Sequence, residues 1–249
     1  MHPIAKLPMV AFSLALVSLL SPFSAHAEPA AAEADEVIVP GFLTRDGQAS
    51  LTPQAMLSTL IARNRDFVEG NLTIRNTSKR IREAAGGQHP GAVILSCLDS
   101  RVPVEDVFHS GIGDLFVARV AGNVSTPEIL GSLEYACKVA GAKVIVVLGH
   151  SNCGAVKSAI DKVELGNITA LLRPVRAAAD KVPGFDGERT SKNAGFVEAV
   201  CRENIQHAIH EIRDKSPILK EMEAGGAILI VGAEYDLDSG TVTFLEPVK

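Results

Sequence analysis

Cysteine is scarce, with four in 249 residues. That is too few for a disulfide-scaffolded mini-protein, so each thiol needs its own explanation. Positive charge is in deficit too: 24 Lys and Arg against 29 Asp and Glu give a formal net charge of −5. So acidic a chain is a poor general binder of phosphate backbones, and no nucleic-acid partner is expected. The apolar run at residues 9–20 (MVAFSLALVSLL) falls short of the roughly 20 residues that a membrane span requires. At 47% hydrophobic and 21% charged, the composition is neither that of a disordered chain nor that of a polytopic membrane protein.

What is present begins with an address. Lys6 is the only Lys or Arg in residues 1–27, the apolar run follows it, and Ala25-His26-Ala27 has the small-x-small form that signal peptidase cleaves. Residues 1–27 therefore read as a cleaved signal peptide. The expected location is the periplasm or the exterior, with no stable membrane insertion after cleavage. Residues 28–50 read as a flexible N-terminal leader, and 51–249 as one domain large enough for a sizeable core.

Within that domain, Thr52-Pro53 is a helix start, a hydroxyl N-cap followed by Pro, and the apolar spacing continues to Glu69 before Gly70. Further helices are expected at about 77–85, 126–139, 169–182 and 192–215, and one capped by Ser151 and Asn152. Buried strands are expected at 92–96, 115–120, 143–148 and 227–233. A strand at 241–245 would close a hairpin through Asp238-Ser239-Gly240. Strands alternating with helices argue for an α/β fold, a mostly parallel central sheet flanked by helices. In such sheets functional groups gather beyond the carboxyl ends of the strands.

Two strand ends carry chemistry. The first runs into Cys97-Leu98-Asp99-Ser100-Arg101, the second into Gly149-His150-Ser151-Asn152-Cys153. His150 and Cys153 have an i, i+3 spacing, so one turn can aim both at one point. Two thiolates and an imidazole suit Zn²⁺, one per chain, and leave a fourth position for water or for Asp99. Zinc brings the pKa of bound water to about 7, so hydroxide is available at neutral pH. Arg101 can grip Asp99 with two parallel hydrogen bonds and hold it off the metal, free to orient that hydroxide toward an electrophile.

These residues resemble those of the β-class carbonic anhydrases, zinc enzymes that interconvert CO₂ with bicarbonate and a proton. The resemblance runs from about residue 57 to 245. It is carried by Gly87-Gln88-His89-Pro90, by Cys97-Leu98-Asp99-Ser100-Arg101, by the segment Gly113-Asp114-Leu115-Phe116 with Ala118-Arg119-Val120-Ala121-Gly122-Asn123, by Ser132-Leu133-Glu134-Tyr135, and by Gly149-His150-Ser151-Asn152-Cys153-Gly154. It implies Cys97, His150 and Cys153 as metal ligands. Asp99 is then either a fourth ligand or the partner of Arg101. Gln88 is implied as an amide that polarises substrate, Phe116 as an apolar pocket wall, and the Gly154 N–H as a donor to ligand.

The same resemblance implies a homodimer or a dimer-based tetramer with active sites at subunit boundaries. Some family members bind bicarbonate at a second, inhibitory site through a Trp, an Arg and a Tyr. Arg119 and Tyr235 match two of these, but Ile94 stands at the third position and the chain has no Trp. With Gln88, that departure favours a constitutively open site at neutral pH.

Two alternatives remain open, a zinc hydrolase of the same scaffold acting on carbonyl sulfide or carbon disulfide, and a non-catalytic zinc-binding protein. A nucleotide-binding domain is disfavoured, since Gly111-Ile112-Gly113-Asp114 lacks the G-x-G-x-x-G fingerprint. Cys137 and Cys201 read as buried free thiols, and His109 as a candidate proton shuttle.

Overall fold

Ala92–Ser96 (β1) is a run of small and apolar residues, and every one of them is buried. A strand of that kind needs cover on both faces, and it sits near the middle of the sheet. The computed structural model describes residues 43–71 and 77–246. The expected signal peptide at 1–27 and most of the expected leader lie outside the described residues.

The chain order is α1 (Arg45–Ser50), α2 (Pro53–Val68), α3 (Thr77–Ala84), β1, α4 (Val104–Val107), β2 (Leu115–Arg119), α5 (Pro127–Glu134), β3 (Val144–His150), α6 (Gly154–Ile160), α7 (Gly166–Leu171), α8 (Arg173–Lys181), α9 (Ala194–Lys215), α10 (Pro217–Ala224), β4 (Leu229–Tyr235) and β5 (Val242–Phe244). A short 3₁₀ turn, Ala121–Asn123, follows β2, and α5 runs on as one wider π turn, Tyr135–Val139.

The sheet order is β2-β1-β3-β4-β5, parallel except for β5. From β1 the chain adds β2 on one side and then crosses to add β3 on the other. The loops leaving β1 and β3 therefore diverge, and a crevice opens beyond their carboxyl ends. The outer edge of β2 carries no strand among the described residues, and its side chains from Leu115 to Ala118 are only half-buried.

Alternate residues of β1 and β3 feed two cores. Val93, Leu95, Ile145 and Val147 pack with Leu133, Ile205, Ile209 and Leu219 from α5, α9 and α10. Ile94, Val144, Val146 and Leu148 pack on the opposite face with Met56, Leu60 and Phe108. At roughly 1.5–3 kcal/mol for each fully buried aliphatic side chain, these two layers dominate the stability. A third cluster joins Cys97 and Cys153 to Val156, Val175, Val200 and Cys201 at the carboxyl edge of the sheet.

Most of the expected elements are present, with instructive departures. Thr52 caps α2 through its hydroxyl, which accepts from the Ala55 N–H at 3.1 Å. The leader reading for 28–50 runs too far. Residues 45–50 form α1, and Gln48 is buried, its amide donating to the carbonyls of Pro90 and Ala140 at 2.8 Å each. Ser151 and Asn152 do not cap α6. Asn152 is left-handed (φ 56°), the Ser151 hydroxyl accepts from the Leu237 N–H, and Cys153 is the N-cap residue. The helix expected at 169–182 is two, α7 and α8. A further helix, α10, begins on Ser216-Pro217, the same hydroxyl-Pro signal as Thr52-Pro53.

Candidate metal centre

Register builds the site. Ser96, the last residue of β1, pairs with Leu148, two residues short of the end of β3. Cys97 therefore emerges level with Gly149, beside His150. A tight turn through left-handed Asn152 brings Cys153 back to the start of α6. The close approach of α9 depends on Gly149, since a Cβ there would lie 2.7 Å from Ile205 Cδ1.

The ligand atoms of Cys97, His150 and Cys153 all lie within 4.8 Å of one another, and all three residues are buried. The two Sγ atoms are 4.0 Å apart. A tetrahedral centre with Zn–S bonds of about 2.3 Å calls for roughly 3.8 Å between sulfurs, so the thiols are already spaced for it. His150 Nδ1 lies 2.9 Å from the Ser151 carbonyl, a contact that requires the proton on Nδ1. That leaves the Nε2 lone pair bare, and this buried nitrogen has no hydrogen-bond partner. A buried, aimed imidazole nitrogen without a partner is what a metal ligand looks like before the metal is counted.

Electrostatics favour a thiolate here. The Cys97 thiol is held below its usual range, chiefly by the hydrogen bond from Cys153 and also by the Gly122 N–H at 3.4 Å, against the opposing effect of burial. Cys153 is pushed up by that same thiolate and by burial. The pair holds a negative charge that a divalent cation would neutralise. Cys137 and Cys201 are free and buried, each pushed up to about 12 by burial. Cys201 is not idle packing, because its Sγ donates to the His150 carbonyl at 3.2 Å.

Asp99 lies outside the three-residue cluster. Its carboxylate accepts from Arg101 Nε at 2.9 Å and Nη2 at 2.7 Å, and from the Arg101 N–H at 3.0 Å. Arg101 thereby holds Asp99 below the usual carboxylate range. Asp99 Oδ2 still lies 3.9 Å from His150 Nε2, at the rim of the centre. This is the Arg-paired arrangement of the two that the resemblance allows. Among the described residues, three protein donors therefore gather, and the fourth candidate, the Asp99 carboxylate, is held by Arg101.

The other expected site residues fall differently. Gly154 opens α6 beside Cys153, exposed, with open space where a Cβ would stand. Gln88 precedes β1, at the sheet edge opposite Cys97, and is exposed. Phe116 pairs in register with Val93, four residues before Cys97, which is about 13 Å along a strand. It packs edge-on against Tyr135 at 6.4 Å. One chain thus does not bring Gln88 or Phe116 to its own cluster. His109 packs edge-on against Phe67 at 6.3 Å.

Comparison with known proteins decides the family. The family model described as carbonic anhydrase matches residues 92–242. Carbonic anhydrase 2 of Mycobacterium tuberculosis is 35% identical over 191 residues, 76% of this chain and 90% of that protein. A β-carbonic anhydrase crystal structure from Aspergillus fumigatus superposes with a TM-score of 0.61 at 26% identity, covering 78% of this chain and 92% of that one. The Coccomyxa β-carbonic anhydrase, solved with acetazolamide, gives 0.59 at 26% identity, covering 77% and 87%.

The chain belongs to the β-class carbonic anhydrases.

As a β-carbonic anhydrase it is a zinc enzyme, with Cys97, His150 and Cys153 positioned as the zinc site. What sequence reading missed is the support behind this carbonic anhydrase's ligands. Asn204 on α9 donates to the Gly122 carbonyl at 2.8 Å, and the Gly122 N–H in turn points at Cys97 Sγ. Arg119 donates to the carbonyls of Cys97, at 3.0 Å, and Asp99. These contacts join residues 20 or more apart in sequence, so no local spacing signals them.

The sulfur spacing also makes a prediction. With zinc removed by chelator, a small disulfide oxidant should convert the Cys97 and Cys153 thiols to a disulfide, reducing the oxidant to two thiols. Thiol titration should then find two fewer free cysteines in the chelated protein than in the zinc-loaded one. Equal counts would refute the protective role of the metal.

Proposed function

We propose that this protein hydrates CO₂ reversibly to bicarbonate and a proton, using an Asp99–Arg101 dyad beside a Cys97–His150–Cys153 zinc site. The observation that carries the reading is the bidentate Arg101–Asp99 contact next to a partnerless, buried His150 Nε2. When bound, zinc supplies Lewis acidity that brings the pKa of a water to about 7.

The chain's own residues do the rest. Asp99, ionised and able only to accept, takes a hydrogen bond from the attacking water and aims its lone pair at carbon. Arg101 fixes the carboxylate plane with two parallel bonds and keeps Asp99 from swinging toward His150. The Gly154 N–H at the start of α6 faces the developing negative charge. The proton leaves to buffer.

Gln88 and Phe116 serve a neighbouring subunit in this reading. Each lies away from its own chain's cluster, and the family resemblance implies sites at subunit boundaries. There the Gln88 amide donates to the developing oxyanion and Phe116 gives the uncharged substrate an apolar wall. A homodimer, or a tetramer built from dimers, follows. So does export, since residues 1–27 carry the signal-peptide pattern. Protein recovered from its native host should begin at Glu28 and scatter light as a multiple of two chains. An active monomer, or an intact Met1 terminus, would overturn the corresponding part.

The central test is stopped-flow CO₂ hydration by the zinc-loaded protein, with carbonyl sulfide and carbon disulfide as competing substrates. Fast CO₂ hydration supports the reading. Turnover of the sulfur compounds without CO₂ hydration, or zinc bound without any turnover, would refute it.

A further inference from the structure

The loop that carries Cys97 and Asp99 has little packing to hold it. Leu98, between them, is 64% exposed, and Ser100 and Arg101 are exposed as well. The Arg101–Asp99 contact does not solve this. Arg101 binds Asp99 through its own backbone N–H, Nε and Nη2, so both partners ride on the same loop and can move with it. The Val102 N–H to Asp99 carbonyl bond, 3.1 Å, is likewise internal to the loop. Some group outside it must set where Asp99 stands relative to the ligand cluster.

Arg119 is placed to do so. It ends β2 and pairs in register with Ser96, the residue just before Cys97. From that fixed strand its guanidinium reaches over the loop. Nε donates to the Cys97 carbonyl at 3.0 Å and Nη2 to the Asp99 carbonyl. The two acceptors flank exposed Leu98, so one planar fork ties both halves of the loop to the sheet. Cys97 Sγ is also met by the Gly122 N–H at 3.4 Å and lies 4.0 Å from Cys153 Sγ, contacts that hold the ligand atom and leave the backbone of Asp99 untouched.

We propose that Arg119 is a positioning residue, which fixes the Cys97–Asp99 backbone so that a metal ligand and the orienting carboxylate keep one mutual geometry. It acts through backbone carbonyls and touches neither substrate nor metal. With those donors engaged, its function is distinct from binding a free anion. The proposal rests on the zinc carbonic anhydrase reading above.

The test compares Arg119→Ala and Arg119→Lys with the wild type, all zinc-loaded. Three measurements are made: steady-state CO₂ hydration for kcat and KM, the rate of zinc release to a chromogenic chelator, and the visible spectrum of the cobalt-substituted protein. Arg119→Ala should lower kcat and speed zinc release by about tenfold or more each, the scale seen for groups that orient metal ligands. KM should stay within about twofold, since no substrate contact is lost. Arg119→Lys, which keeps one charged donor, should fall between, and the cobalt spectrum of Arg119→Ala should shift as Asp99 changes place.

Wild-type kcat and zinc release in Arg119→Ala would overturn the proposal. So would equal losses in both variants that track a matching fall in Tm, the mark of a merely structural role. A change confined to bicarbonate inhibition at unaltered kcat would assign Arg119 to anion binding and likewise overturn it. A wild type without CO₂ hydration refutes the parent reading, and zinc release then still decides the role of Arg119.

Discussion

Cys97→Ser protein should purify with zinc far below one per chain and hydrate CO₂ roughly a thousandfold more slowly or worse, since the chemistry leaves with the metal. The size of the effect follows from which donor is removed. Cys97 is one of the two thiols of the cluster, and the pair holds the negative charge that a divalent cation neutralises. A serine hydroxyl there is neutral, harder and shorter, a poor match for a borderline-soft cation. Cys153 and His150 would then face a metal with two donors, too few to hold it. The control is Cys137→Ala. Cys137 lies in the core between the sheet and α5, away from the cluster, and its variant should keep both zinc and activity. Zinc analysis and stopped-flow rates on the two proteins check the prediction. A zinc-replete, active Cys97→Ser protein would remove Cys97 from the site.

The dyad comes next in size. Arg101→Gln and Asp99→Asn should each retain zinc and lose about a hundredfold in kcat, the lower range for a group that handles the proton of the reacting water. Stability should change little. The Arg101 side chain is 53% exposed and Asp99 16%, and an ion pair so open to water contributes little to folding. Its worth is positional. Removing Arg101 frees Asp99 to approach His150 Nε2, now 3.9 Å away, and to compete for the fourth position. Arg101→Gln should therefore be the more damaging of the two, and a rate ranking with Asp99→Asn lower would count against that competition.

The pH dependence separates the dyad from the water. Arg101 holds the Asp99 carboxyl below its ordinary value, so the group stays ionised through neutrality. A depressed folded-state pKa adds stability above the unfolded value of about 3.9, and that contribution is lost as pH falls through the folded value. A rise in kcat between about pH 6 and 8 would thus report the water and not Asp99.

Much of this was legible in the sequence because the decisive signals are local. A run of small and apolar residues leading into Cys97, and another leading into His150, mark two central strands and two ligands at once. The i, i+3 spacing to Cys153 is a one-turn geometry. The Asp99–Arg101 contact lies within three residues, and it forms as expected. What stayed hidden depends on the third dimension. Arg119 reads, by resemblance, as part of an inhibitory bicarbonate site until register places it against Ser96. Asn204 and Cys201 read as parts of an amphipathic helix until α9 crosses the back of the site. Gln88 and Phe116 sit in motifs whose order is unmistakable, but order along a chain does not reveal that both lie away from Cys97 in space.

The two borders of the sheet are unequal. On one side lies β2, five residues with no neighbouring strand among those described, and on the other β5, only three residues, Val242–Phe244. A bare strand bonds readily to another bare strand, and a molecule with two long ones can add copies indefinitely into a fibre. With one long border per molecule, strand-to-strand pairing consumes both partners' free edges in a single event. Among the described residues, growth by that route is therefore self-terminating, because the three-residue β5 edge offers a further copy little to pair with.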